Sequence, residues 1–447
     1  WQGDLITCDF RANRIVRFKL SDDGAGFIGR EQEEILRTVA DSFRPIDVKL
    51  GPDGALYIAD WSNPIIQHGE VDFRDTRRDK IHGRIWRVAP IGHKSSAPKD
   101  LTKLPNAELL DLLLSANAAI PLQARRVLKE RGADNVIDDL DRWATANPSD
   151  AAQLQVLWLG QSLNLPLQTR ARQLLVSESA PIRAATVRAL SIAKADDYAT
   201  AAELSRDPHP RVRLEAVRAL GRFPTAQSAA TALAVLDTEM DPYLDYAIWL
   251  TINELAEPWS AAVLDGSWST EGRDTQLAFA LTALLPQQAA PILAKLVARQ
   301  TLDGTGPWTQ LIQDAGGPAE LQALFDGAIS GRFTPANTAA ALNALREAAR
   351  IRGVVPPGRI DALTTLLSSK NTAVQNATIR LAGVRKMNST VPELIAIAAD
   401  ADTADSTLRH TFNALRDIGG TSAKNALLRI VKDTDATETI RNRAAVA

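Results

Sequence analysis

The segment Pro181-Ile-Arg-Ala-Ala-Thr-Val-Arg-Ala-Leu190 returns 30 residues later as Arg211-Val-Arg-Leu-Glu-Ala-Val-Arg-Ala-Leu220, with 5 of 10 positions identical. Asp241-Pro-Tyr-Leu-Asp-Tyr-Ala-Ile-Trp-Leu250 continues the same offset, its leucine in the same place. Val212, Ala216, Val217 and Leu220 fall at helical spacing and make one apolar face. Pro208 and Pro210 precede that helix, where a missing amide donor costs little. Looser copies occur at 121–132, 151–163, 275–285, 334–350, 371–384 and 406–419. One helix pair cannot bury its own apolar face, but stacked neighbours can, so the pattern predicts a repeat array. Leu190, Leu220 and Leu250 are expected to be buried at equivalent positions.

Working outward, the composition changes near residue 100. Alanine occurs 7 times in residues 1–100 and 65 times in residues 101–447, so only the second part has the composition of packed helices. The Pro-punctuated stretch 91–100 reads as a linker between a β-rich part, 1–90, and a helical part, 101–447. The run Thr275–Ala294 carries no charge over 20 residues, but Pro286 and Pro291 make it a helix–turn–helix rather than a membrane span. The 447 residues hold 51 Lys and Arg against 53 Asp and Glu, a net charge of −2. That balance excludes a general nucleic-acid or membrane-surface binder, which needs a basic field. A single cysteine, Cys8, excludes an internal disulfide framework and a multi-cysteine zinc site. Because the sequence starts at Trp1, the chain is read as a processed product or a fragment.

In the first part, Asp4–Phe10 and Asn13–Leu20 read as two strands around a turn. Phe43–Leu50, the turn Gly51-Pro-Asp-Gly54 and Ala55-Leu-Tyr-Ile-Ala-Asp-Trp61 form a hairpin, because Pro-Asp-Gly supplies both the preset φ and the left-handed position. Gly83-Arg-Ile-Trp-Arg-Val88 is a further strand. Strand, tight turn, strand and a closing Asp-Trp together look like a blade of a β-propeller, with about one to two blades present. The predicted fold is therefore mainly α: an α-solenoid preceded by a small, incomplete β-propeller part.

Two resemblances follow from these residues. The helical part resembles HEAT repeats, of the short type seen in phycobilin-lyase proteins, and this implies a solenoid able to dock a protein partner. Arg44-Pro-Ile-Asp-Val-Lys49, Gly51–Trp61, Asn63-Pro-Ile-Ile-Gln-His-Gly-Glu70, Asp72–Asp79 and His82-Gly-Arg-Ile-Trp-Arg87 together resemble the propeller end of the large membrane-bound dehydrogenases of planctomycete and verrucomicrobial type. Those proteins are similar to soluble glucose/sorbosone dehydrogenases, and their usual order is propeller, HEAT-like repeats, cytochrome c module. The resemblance implies a parent that oxidises a sugar or alcohol in the periplasm or outside the cell, with a quinone cofactor, Ca²⁺ and a c-type haem. This chain is expected to hold none of these cofactors by itself, since it has no Cys-x-x-Cys-His motif and too few blades.

The connection from Asn63 to His82 is long and dense in charge, as binding loops on rigid scaffolds are. His68 and Glu70 can serve as base and orienter. Asp72, Asp75 and Asp79 with Glu70 can offer oxygens to a hard cation, although their spacing fits no EF-hand loop. Arg74, Arg77, Arg78 and Arg84 can hold a carboxylate or a quinone, and His82 lies in the same motif. The competing reading is that Arg and Asp neutralise one another in a loop-stapling network. Arg44 and Asp47 either point into the propeller channel or pair with each other, and Asp60 with Trp61 reads as a blade-closing pair. In the helical part Arg183/Arg213 and Arg188/Arg218 form a ladder whose simpler reading is exposed positions with partners one turn away. His209 and His410 are isolated, with surface or capping roles, and Cys8 reads as a small buried residue.

Three functions compete: the propeller end of a sugar or alcohol dehydrogenase, a non-catalytic scaffold for glycan or protein, and a lactonase-like propeller hydrolase. The catalytic role falls to His68. Binding falls to Arg44, Asp47, Asp60, Glu70, Arg74, Asp75, Arg78, His82 and Arg84, with no metal ligand assigned.

Overall fold

The computed structural model describes residues 3–66, 70–93, 98–269, 271–299, 301–358, 360–400 and 402–447. They form two compact units, Trp1–Thr251 and Ile252–Ala447. The fold is mainly helical: 22 α-helices follow a small N-terminal β-part of seven strands among the described residues.

Within the first unit, β1 (Asp4–Asp9), β2 (Arg14–Asp23), β3 (Gly26–Glu31) and β4 (Leu36–Arg37) make one antiparallel sheet, with β1 on one side of β2 and β3 and β4 on the other. A second sheet has the order β5 (Pro45–Leu50), β6 (Leu56–Asp60), β7 (Arg84–Val88). The Pro-Asp-Gly turn closes β5 onto β6: Gly51 N donates to Ala55 O at 2.7 Å, and Gly54 takes φ +80°. A two-residue period then turns Leu56, Ile58 and Asp60 to one face, where Ile58 packs with Ile15 and Phe43 between the sheets. Cys8 borders this cluster and is half-buried; burial raises its thiol above the usual value. β3 and β4 are additions to the predicted strands.

The helices Asp150–Ser162, Ala180–Ile192 and Pro210–Leu220 stack in sequence, each preceded by a capping position: Ser149, Ser179 and His209. His209 is a cap in fact, its Nδ1 accepting from Arg211 N at 3.2 Å, with Pro210 in the first turn. Val212, Ala216, Val217 and Leu220 are fully buried, as the periodicity predicts, and so is Leu190 within a few per cent. Leu250 departs from the expectation, being only half-buried. The next helix, Pro242–Glu254, is capped by Asp241, 32 residues after His209. Two extra residues in the connection therefore move the buried position from Leu250 to Ile252.

The ladder arginines also depart from the exposed reading. Arg183 forks onto Asp207 with two 2.8 Å bonds and donates to Ser177 O in the loop before its own helix. Arg213 repeats this one unit later, donating to Asp207 O, Pro208 O and Glu239 O. Both are largely buried staples between consecutive loops, Arg183 through the Asp207 carboxylate and Arg213 through loop carbonyls. Arg188 does stay exposed, 3.5 Å from Glu215, while Arg218 donates to Thr251 Oγ1 at 2.7 Å.

The second unit continues the pattern. Trp308–Ala315, Pro335–Glu347, Thr372–Val384 and Asp405–Ile418 pack consecutively. Thr334 and Asn371 cap two of them through side-chain oxygens. The uncharged run resolves into Asp274–Thr282 and Pro286–Val297 with Pro286 in the first turn. Among the described residues no helix is long and apolar enough to cross a membrane.

The β-part is tied to helices at two places. Asn117, ahead of the helix Ala119–Arg131, donates to Gly51 O and Pro52 O at 3.1 and 3.2 Å. The β2–β3 turn is held by residues 185 to 216 positions away. Arg211 donates to Ala25 O, Gly26 O and Asp22 Oδ1 at 2.8–3.2 Å and lies 3.8 Å from the centroid of the Phe27 ring. Asp241 Oδ2 accepts from Ala25 N, and the Tyr243 hydroxyl donates to Phe27 O. Gly26 permits this approach, since a Cβ there meets the Tyr243 ring at 2.5 Å.

Candidate functional site

The candidate residues separate into three groups. At the centre of the first is Asp60, at the end of β6, with a fully buried side chain. Its Oδ1 accepts from Arg44 N and Ser62 N, both at 2.8 Å; its Oδ2 accepts from Arg84 Nε at 2.8 Å and Trp86 Nε1 at 2.9 Å. Strand register explains the convergence, because Asp60 pairs with both Pro45 and Arg84 across the sheet. Burial alone raises the carboxyl, yet these donors and the Arg84 charge outweigh it and hold Asp60 below the usual carboxylate range.

Arg44 is buried and spends its fork on main-chain oxygens: Asn63 O at 3.0 Å, Phe10 O at 3.0 Å and Pro64 O at 3.2 Å, with Asn13 Oδ1 at 3.1 Å. It does not pair with Asp47. Asp47 is exposed, bonded to Lys49 Nζ at 2.9 Å, because the irregularity between Pro45 and Asp47 turns it to the other side of the strand. Arg84 also reaches Ser42 O and Oγ and lies over the Trp86 ring.

The second group is local to the loop. Asp72 accepts from Arg74 N, and Asp75 takes Arg77 through Nε and Nη2 at 3.0 and 2.7 Å. The Arg77 guanidinium and amide bring the Asp75 carboxyl down to about 2. Arg78 donates to Val71 O and Asp72 O and lies 5.4 Å from the Phe73 centroid. Glu70 and Arg74 are exposed. The third group is Asp79, which caps Ile81 N and His82 N and meets His82 Nδ1 at 3.2 Å. His68 lies outside the described residues. Arg77 is itself 68% exposed, so replacing it with alanine should cost the β-part little, lowering hydrogen-exchange protection of the loop amides by no more than about fivefold.

Sequence reasoning missed Asp53, Asn63 and Trp86. Asp53 reads as turn chemistry in the sequence, yet from the β5–β6 turn it reaches Arg87 on β7 at 2.7 Å and Tyr57 at 3.2 Å, and its carboxyl falls to about 2. The signal lies in the order of the elements: Asp53 sits in the turn that leads into β6, and Arg87 lies on the strand that pairs with β6.

The quinone and Ca²⁺ implied by the dehydrogenase resemblance find little to hold them. The Arg44 fork and both Asp60 oxygens are committed within the fold, and among the described residues no three of His, Cys, Asp and Glu come close enough for a metal. Cys8 cannot anchor a c-type haem by two thioethers.

Residues 1–92 match the model of a domain of unknown function (DUF7133). No curated protein matches this sequence. Among solved structures, the chain is similar to an engineered protein at 18% identity, covering 76% of this chain and 98% of that one, with a TM-score of 0.28. It is similar to Kap121p at 14% identity, 76% and 43% coverage and a TM-score of 0.43. For importin beta the values are 13%, 75% and 49%, with a TM-score of 0.35. The chain thus spans less than half the length of Kap121p and importin beta.

Proposed function

We propose that this chain is a non-catalytic interaction scaffold, in which a HEAT-like array carries two propeller-type sheets and presents a surface to a protein partner. The observation that carries the reading is the saturation of Asp60. It is the one fully buried carboxylate among the candidate residues, and four donors already fill its oxygens. A group in that state holds a fold together and has no lone pair to offer a substrate. The purified chain, given aldoses and primary alcohols with an artificial electron acceptor, should show no turnover. Oxidation above the protein-free rate would overturn the scaffold reading.

A second reading keeps the chain as the propeller end of a periplasmic or secreted sugar or alcohol dehydrogenase. Ile85 supports it: 72% exposed, it lies on the face of β7 opposite Trp86 and Arg84. An exposed isoleucine on a sheet face suits a further blade packing there. In that reading the carbohydrate chemistry belongs to residues beyond this chain.

A further inference from the structure

The second unit carries a polar stripe that the preceding sections leave unused. Arg380, in the helix Thr372–Val384, donates through Nη2 to Asn343 Oδ1 at 3.0 Å on the preceding helix of the stack and through Nε to Asn376 O. Among the described residues it bonds to no carboxylate, and it is only partly exposed. The carboxylates nearby are outnumbered: Arg346 and Arg350 share Glu347, and Arg409 and Arg443 share Asp405. The Asn376 side-chain oxygen is buried with no donor. His410, on the following helix, is half-buried; burial and then the charges of Arg380, Arg409 and Arg346 push it below the usual imidazole value. Arg409 also lines, with Asn413, Arg416 and Asn442, a crevice of about 310 Å³ beside the helix Glu438–Val446.

We infer that the helices Pro335–Glu347, Thr372–Val384 and Asp405–Ile418 form a docking surface for an acidic, extended peptide segment of a partner protein, with Arg380 and Arg409 receiving its carboxylates and Asn343 and Asn413 its main chain. Charge complementarity is the reason for the acidic partner: an under-compensated, partly buried guanidinium gains most from a bidentate carboxylate. Length is the reason for a peptide. Stacked helices stand about 8–10 Å apart, so three of them span roughly 16–20 Å. An extended segment of about five or six residues covers that distance at ~3.3 Å per residue, whereas a single phosphate occupies one arginine. The proposal rests on the scaffold reading and names its partner's chemistry.

Fluorescein-labelled hexaglutamate, titrated with the full chain at low ionic strength and followed by anisotropy, should bind saturably, and hexalysine should not. Arg380→Gln together with Arg409→Gln should weaken binding about tenfold or more. The same charge change made at the exposed Arg126 and Arg142 should leave the affinity unaltered. If the double variant does not fold, Arg409→Gln alone serves, since that side chain is 65% exposed. Absence of hexaglutamate binding, equal loss from the Arg126/Arg142 control, or full displacement by inorganic phosphate at equal charge would each overturn the proposal. None of these results bears on turnover, so the site and the scaffold reading fail separately.

Discussion

Replacing Asp60 with alanine should destabilise the β-part by about 3–5 kcal/mol, the range expected when one partner of a buried charge network is removed. Four donors lose their acceptor together: two backbone amides, the Trp86 indole and the Arg84 guanidinium. The amides of Arg44 and Ser62 sit where water cannot replace the lost oxygen, so each retains its full desolvation cost. Asp60→Asn should recover part of the loss, as its oxygen can serve two donors while the Arg84 charge stays uncompensated. Because the chain has two units, a single global midpoint is the wrong observable. Hydrogen exchange of the β5 to β7 amides is the right one, and unchanged protection in Asp60→Ala would contradict this account. The pH dependence follows with its sign. Asp60, Asp53 and Asp75 all have folded-state values below the ordinary carboxylate range, Asp53 and Asp75 at about 2. Their stabilisation is complete above about pH 4, the unfolded value. It is lost as pH falls from there toward the folded values, because the unfolded chain takes up protons first.

The second large effect is expected at Arg211. Its alanine variant should release the β2–β3 turn at a local cost of about 2–4 kcal/mol, from the charged hydrogen bonds and the contact with Phe27. Arg211 occupies the first turn of its helix, where a cation opposes the helix dipole. Removing it therefore favours the helix itself, and any loss of stability reports the attachment. Arg211→Lys should not rescue, because an ammonium lacks the fork that meets Ala25 O, Gly26 O and Asp22 together. Limited proteolysis within 21–28 reads the outcome directly. A variant as resistant as the parent would show that Tyr243 and Asp241 suffice.

Much of this architecture is legible in the residues. The Pro-Asp-Gly hairpin and the repeat helices rest on local rules, turn chemistry and 3.6-residue periodicity, which need no knowledge of distant neighbours. β3 was not legible, because Asp22-Asp23-Gly-Ala-Gly26 reads as a loop and Gly29 interrupts the alternation; its partner Phe18–Asp23 and the distant Arg211 and Tyr243 make it a strand. Leu250 was misplaced because periodicity counts residues, and the two extra residues before Asp241 sit in the connection rather than in the helix. Arg183 and Arg213 looked exposed since a single helix shows only its own face; the loops that bury them come from the adjoining repeat. At the candidate site the sequence supplied the residue types, while strand register decided that Arg44, Asp60 and Arg84 meet and that Asp47 does not.

The attachment at Arg211 also sets an order of events during synthesis. Gly26 leaves the ribosome 185 residues before the arginine that holds it. At about 5–20 residues per second, the nascent chain waits roughly 10–40 s before that contact can form. Through that interval β2 and β3 have only their own ladder and the neighbouring strands to hold them. A hairpin whose final anchor arrives last favours slow, ordered maturation over early commitment. Pausing while the segment between Gly26 and Arg211 is still emerging would lengthen the wait, and pausing after Tyr243 has emerged would not.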